Sequence, residues 1–124
     1  MCRLFEIVGH RDSFKATEAL IEIGISLICV SDGSNGSTFV TANASASHPS
    51  YSVETVDATG AGDAFLAAVA WLLSSSEKTI SDLSSGDLMS MAAFSNAAGA
   101  LVATKLGAME ADFTLIDVRR LCAT

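Results

Sequence analysis

The sequence is poor in basic residues, in cysteine and in proline. Its 124 residues hold seven Lys and Arg against fourteen Asp and Glu, which gives a formal net charge of -7. Because nucleic-acid affinity comes largely from basic side chains that neutralise phosphates, this balance argues against a nucleic-acid partner. The three cysteines are too few and too scattered for a disulfide framework, and none forms a C-x-x-C metal pair. We therefore expect a reducing, cytoplasmic setting.

Long apolar runs are also lacking. No stretch reaches the roughly 18 apolar residues that a membrane-spanning helix needs, and the start has no apolar segment typical of a secretory signal. Half of the residues are nevertheless hydrophobic, so one domain with a real core is expected over residues 1–124. The sequence pattern also predicts no opening strand of the kind that usually begins an α/β domain. We interpret this pattern as a sign that upstream material is missing.

The first half of the chain predicts an α/β arrangement. Asp12 and Ser13 form a helix start, and a helix of about ten residues is expected to end at Gly24. The apolar run 25–30 then predicts a buried strand of a parallel sheet. Asn35-Gly36 favours a type I′ hairpin with a returning strand over 37–41. We expect a surface loop over 42–47 and an edge strand over 51–56.

The second half is predicted to be mostly helical. An alanine-rich helix is expected to start near Asp63, and a longer one covers 88–105 with apolar residues at three- and four-residue spacing. In the longer helix, Gly99 would permit close packing against the first. A short final helix is expected over 114–121, with Leu115, Val118 and Leu121 facing inward.

The stretch 56–65 reads V-D-A-T-G-A-G-D-A-F and predicts an anion site. Gly60 and Gly62 let the backbone approach a phosphate, and the free amides at a helix N-terminus attract negative charge. Asp63 would lie beside that phosphate, where it could receive a proton from an attacking hydroxyl. The alternative is that Asp63 is a plain helix cap and that the glycines only form a turn.

This string resembles the D-T-x-G-A-G-D signature of the PfkB, or ribokinase-like, family of carbohydrate kinases, and the fructokinases above all. Ala58 is a departure, since the family usually has Thr there. The resemblance extends over residues 25–108. It implies the C-terminal, nucleotide-binding portion of a ribokinase-like three-layer α/β fold, with parallel strands, an edge hairpin and packed helices. The sugar-binding part and the lid lie N-terminal in the family, and nothing in this chain matches them.

The resemblance also implies roles for particular residues. The turn after residues 25–30 corresponds to the family's nucleotide-contacting T-x-G-x-x-G, with Asp32 as a departure that places a charge near the triphosphate. The run F-S-N-A-A-G-A-L-V-A-T-K-L-G-A, at 94–108, is similar to the family segment whose Asn lies beside the base. The implied set comprises the catalytic base Asp63; the anion hole Gly60, Ala61 and Gly62; the ATP contacts Ser31, Gly33, Gly36 and Asn96; and, conditionally, the monovalent-cation carbonyls of Asp57, Thr59, Val102, Lys105 and Gly107.

The implied reaction is ATP-dependent phosphorylation of a sugar hydroxyl, with Mg²⁺ and, in some family members, K⁺. A sugar and ATP would be the small-molecule partners, no membrane partner is expected, and a homodimer is compatible with the family. An upstream N-x-x-E turn that organises Mg²⁺ has no match here, so the isolated chain could be inactive. Two alternatives stay open: a non-catalytic nucleotide-binding or regulatory module on the same fold, and a dinucleotide-binding domain. The latter is disfavoured because Phe65 occupies the third glycine position.

Overall fold

The chain forms four strands and four α-helices within the residues that the structure describes. The structure is a computed structural model that describes residues 4–8, 13–31, 35–53, 60–104 and 115–122. In chain order the elements are β1 (Leu4–Val8), α1 (Ser13–Glu22), β2 (Leu27–Ser31), β3 (Ser37–Val40), β4 (Ser45–His48), α2 (Ala61–Ser75), a 3-10 turn (Ile80–Asp82), α3 (Ser85–Ala103) and α4 (Leu115–Cys122).

The four strands form one mixed sheet in the order β1-β2-β3-β4. β1 and β2 are parallel, as expected when a helix such as α1 connects two strands. β2, β3 and β4 are successively antiparallel. The predicted α/β fold with parallel strands and an edge hairpin is therefore confirmed. The prediction that the chain begins without an opening strand was wrong, because β1 precedes α1 and pairs with β2.

Two predictions between residues 42 and 53 were wrong. The predicted loop over 42–47 contains β4, which pairs with β3 so that Thr38 lies opposite Ser47. Residues 45–48 lack the β-branched and aromatic residues that favour strands, and β4 is held by its pairing with β3, which includes a side-chain hydrogen bond of 2.8 Å between Thr38 Oγ1 and Ser47 Oγ. The edge strand predicted over 51–56 is not formed at 51–53, and residues 54–56 lie outside the described residues.

The main core lies between one face of the sheet and helices α2 and α3. It contains Leu27, Cys29, Phe39, Phe65, Val69, Leu83, Leu88, Met91 and Ala92. A second cluster of small residues joins α2, α3 and α4, and Leu121 packs against it. Cys29 is fully buried, as expected for a small core residue, and Val118 faces inward as predicted. Burial of Phe65 and Val69 together with the apolar side chains on one face of the sheet stabilises the position of α2.

Helix α2 also has an exposed side with unusual composition. After Asp63 the helix carries no charged residue, and Leu66 and Trp71 are 38 % and 42 % exposed. Trp71 is the only tryptophan of the chain, and its ring stacks on Phe94 of α3 with centroids 5.6 Å apart. None of the helices in the described residues is long and apolar enough to cross a membrane.

The start of α3 is held by a reciprocal cap. The Asp87 amide donates to Ser84 Oγ at 3.1 Å, and the Ser84 amide donates to Asp87 Oδ2 at 2.9 Å. Lys78 Nζ also donates to Asp87 Oδ2 at 2.8 Å. These hydrogen bonds stabilise the ionised carboxylate, Lys78 foremost, and lower the pKa of Asp87 to about 2.

This lowered pKa predicts an acid-sensitive helix start. Because the carboxylate is favoured in the folded chain, its contribution to stability is present above its unfolded pKa, about 4. That contribution is lost as the pH falls through about 2. We expect Asp87→Asn to lower the melting temperature at neutral pH, and the difference from the unaltered chain to shrink between about pH 4 and pH 2. A difference that stays constant over this range would contradict the assignment.

Candidate functional site

The N-terminus of α2 is the centre of the candidate site. Gly60 precedes the helix with φ 83° and ψ -3°, a left-handed conformation that side chains other than glycine rarely adopt. Gly60 itself has no side chain that could cap this helix end. The Ala64 amide donates to the Gly60 carbonyl at 2.9 Å, so the first intrahelical bond is already closed. The preceding amides, Ala61, Gly62 and Asp63, have no acceptor within the helix.

Asp63 is the one acidic residue in the first turn of α2. Its side chain is exposed, and no described residue pairs with its carboxylate. A carboxylate here is favoured by the positive end of the helix. The arrangement combines amides that can bind an anion with an accessible carboxylate that can accept a proton.

Helix α3 supports this helix end at Gly99. A Cβ placed on Gly99 would lie 3.1 Å from the carbonyl oxygen of Ala61 and 3.8 Å from Cβ of Phe65. The first distance is tighter than an ordinary side-chain contact, so the two helices approach closely because this residue is glycine. The predicted close packing at Gly99 is confirmed, and it positions the first turn of α2.

The hairpin between β2 and β3 provides a second part of the site. Ser31 ends β2 opposite Ser37. Gly36 precedes β3 with φ 95°, and a Cβ there would collide with the carbonyl oxygen of His48 and lie 2.8 Å from Pro49 Cα. The backbone of Gly36 therefore packs directly against the segment that follows β4. Gly33 lies outside the described residues.

Asn96 of α3 connects the start of β3 to the end of β4. Its side chain is 8 % exposed, and its Oδ1 accepts from Ser37 Oγ at 2.7 Å. Its Nδ2 donates to the carbonyl oxygens of His48 at 3.0 Å and Pro49 at 3.3 Å. Sequence reasoning did not find these protein contacts. The available signals were a polar amide in an apolar helix and a hydroxyl directly after Gly36. The contact between Asn96 and a nucleotide base remains a prediction.

Of the residues implied for a monovalent cation, only Val102 is described. It lies in α3 and is 4 % exposed. Asp57, Thr59, Lys105 and Gly107 lie outside the described residues. The described residues contain no group of three or more His, Cys, Asp and Glu side chains that could hold a metal. The implied cation ligands are backbone carbonyls, and the cation site stays a prediction.

Comparison with known proteins decides the family. The sequence profile of the pfkB family of carbohydrate kinases matches residues 4–114. The chain belongs to the pfkB family. Among curated relatives, probable fructokinase-5 of Arabidopsis thaliana is 35 % identical over 113 residues. The match covers 91 % of this chain and 34 % of that protein. Fructokinase-2 of rice, Oryza sativa subsp. japonica, is 38 % identical over 88 residues, which are 71 % of this chain and 26 % of that protein.

Solved structures agree with this pfkB assignment. Aminoimidazole riboside kinase from Salmonella enterica, complexed with aminoimidazole riboside and an ATP analogue, is 25 % identical with a TM-score of 0.79. The alignment covers 98 % of this chain and 42 % of that one. The ribokinase-like fold is thus confirmed for this portion. The chain spans about a third of the length of the curated relatives it matches.

A surface groove of this pfkB chain lies away from the candidate site. It measures about 620 Å³ and is lined by α1 residues such as Glu18 and Ile21 together with Val30 and Val40 of the sheet. Val30 and Val40 alternate with the core residues of their strands, so the groove lies on the opposite face of the sheet from α2. None of the residues from 60 to 63 lines it. We therefore do not assign the groove to nucleotide chemistry.

Proposed function

We propose that this chain carries the nucleotide site, the anion hole and the catalytic base of an ATP-dependent sugar kinase of the fructokinase type. The observation that carries the proposal is the start of α2, where the left-handed Gly60 offers no side-chain cap and Asp63 is exposed beside it. The relatives described above are fructokinases, and the similar solved kinase is complexed with an ATP analogue. A cytoplasmic setting is part of the proposal.

The proposed reaction is phosphoryl transfer from ATP to a sugar hydroxyl. The oxygen of a sugar hydroxyl forms a bond to the γ-phosphorus of ATP, and the bond from that phosphorus to the β,γ-bridging oxygen breaks, so that ADP leaves. Asp63 orients the hydroxyl and accepts its proton. The amides of Gly60, Ala61 and Gly62 stabilise the charge on the transferring group.

The residues present suit the phosphate groups better than they suit a free metal ion. Amides that have no acceptor within their own helix and a positive helix end favour an anion, whereas Asp63 is a single carboxylate. Mg²⁺, when bound with ATP, would neutralise charge on the phosphates, and Asp63 is the described carboxylate in the first turn of α2 that would help to hold it. K⁺ would depend on Asp57, Thr59, Val102, Lys105 and Gly107, as the family resemblance implies.

The test has two stages. The 124-residue chain is first titrated with a fluorescent ATP analogue, which unlabelled ATP should displace. It is then mixed with the N-terminal portion of probable fructokinase-5, and phosphorylation of fructose is followed by ADP release. Binding followed by ATP-dependent fructose phosphorylation supports the proposal. Binding without transfer, in the presence of that N-terminal portion, would favour a non-catalytic nucleotide-binding module, and absence of binding would refute both.

A further inference from the structure

Asn96 occupies the place where three separate segments meet. It bonds to Ser37 at the start of β3 and to the two carbonyls at the end of β4, as described above. Both hydrogens of its amide and one lone pair of its oxygen are thus used by protein groups. Its side chain is 8 % exposed, so these hydrogen bonds lie in the interior of the described part of the chain.

The contacts of Asn96 hold the backbone at Gly36 from two sides. We call this position, directly before β3, the Gly36 turn. Ser37 follows Gly36 in the chain, and the Ser37 hydroxyl donates to Asn96. The other side of Gly36 packs against the carbonyl of His48 and against Pro49, whose carbonyls both accept from the same amide. Any change at Asn96 therefore releases both the turn and the surface on which it rests.

The same helix reaches the anion hole one turn later. Gly99 follows Asn96 by three residues, so the two lie on one face of α3. Gly99 contacts the carbonyl of Ala61 in the first turn of α2. α3 is thus a rigid element that contacts the hairpin at Asn96 and the start of α2 at Gly99.

From this geometry we propose that Asn96 is a positioning residue, whose hydrogen bonds set the Gly36 turn at a fixed distance from the amides of Gly60 to Gly62. This inference rests on the proposed function of the α2 N-terminus. A misplaced binding loop weakens binding or catalysis even when no ligand contact is lost, and a displacement of about 1 Å can cost as much as about 100-fold.

The proposal is tested on the 124-residue chain with Asn96→Ala and Ser37→Ala. Each variant should bind ATP about tenfold more weakly or worse, and in Ser37→Ala the affinity for GTP should fall by the same factor, because the turn is displaced and no base contact is removed. The double variant should be no weaker than Asn96→Ala alone, since both changes break one network. Ser37→Thr keeps the hydroxyl and should restore binding, which a general loss of stability would not explain.

Asn43→Ala is the matched control. The Asn43 side chain also donates to a backbone carbonyl, that of Ser81 at 3.2 Å, but it is exposed and lies elsewhere in the chain. It should leave nucleotide affinity unchanged. If Asn96→Ala does not fold, Ser37→Ala, which removes one hydrogen bond, decides the question. A neutral Ser37→Ala, or a loss confined to ATP over GTP in Ser37→Ala, would overturn the positioning role. If the unaltered chain binds neither nucleotide, the proposed function fails, and the positioning role fails with it.

Discussion

Asp63→Asn is expected to remove nearly all phosphoryl transfer while ATP binding persists. Asparagine has nearly the same shape as aspartate, so α2 should keep its first turn, but the amide cannot accept the proton of the sugar hydroxyl. Loss of a general base typically lowers the rate by about 10²- to 10⁴-fold. The measurement is kcat for fructose phosphorylation, with this chain assembled with the N-terminal portion of a fructokinase, together with the affinity of the chain for ATP.

Glu77→Gln is the control for this experiment. Glu77 is exposed just after α2, so the substitution makes the same change in charge away from the helix N-terminus. It should leave kcat unchanged. Asp63→Asn with turnover close to that of the unaltered chain would remove Asp63 as the base. The anion hole would then remain a nucleotide-binding feature without its assigned proton acceptor.

Gly36→Ala is expected to unfold the hairpin side of the site and to destabilise the chain by about 3 kcal/mol. About 1–2 kcal/mol comes from placing a side chain at φ 95°, and a similar amount comes from the collision with the His48 carbonyl and Pro49. The free energy of unfolding of the 124-residue chain, measured by urea denaturation, checks the stability, and titration with the ATP analogue checks the site.

Gly24→Ala separates the two contributions to the expected loss of stability, which are the positive φ and the collision of the side chain. Gly24 also has a positive φ, 98°, but a Cβ there would meet no atom within 4 Å. It should cost only the conformational part, about 1–2 kcal/mol, and leave ATP affinity unchanged. Equal losses for the two substitutions would mean that the segment after β4 moves aside and that Gly36 is not held as described.

The parts of the fold that sequence could predict are those with a local signal. The apolar run that became β2 and the periodic apolar residues of α3 reflect burial patterns that neighbouring residues create together. Gly60 and Asp63 were predicted as a site because helix N-termini bind anions whatever lies elsewhere in the chain. The same string also carried the family resemblance, which the profile match confirms.

The parts that could not be predicted depend on distant partners. β4 has no local strand signal, and it is stabilised by its pairing with β3. The hydrogen bond between Ser37 and Asn96 joins residues 59 positions apart, and no local pattern indicates it. The roles of Gly33, Asp57, Thr59, Lys105 and Gly107 rest on resemblance alone, since these residues lie outside the described part of the chain.

The uncharged outer side of α2 has a practical consequence for work with this chain in solution. Leu66 and Trp71 expose apolar surface to water, and repulsion between the negatively charged chains opposes their association through this surface. Near the isoelectric point, about 4.5, that repulsion vanishes, and aggregation of the purified chain should begin there first. Buffers well above this value, with modest salt, are the sensible choice for handling it.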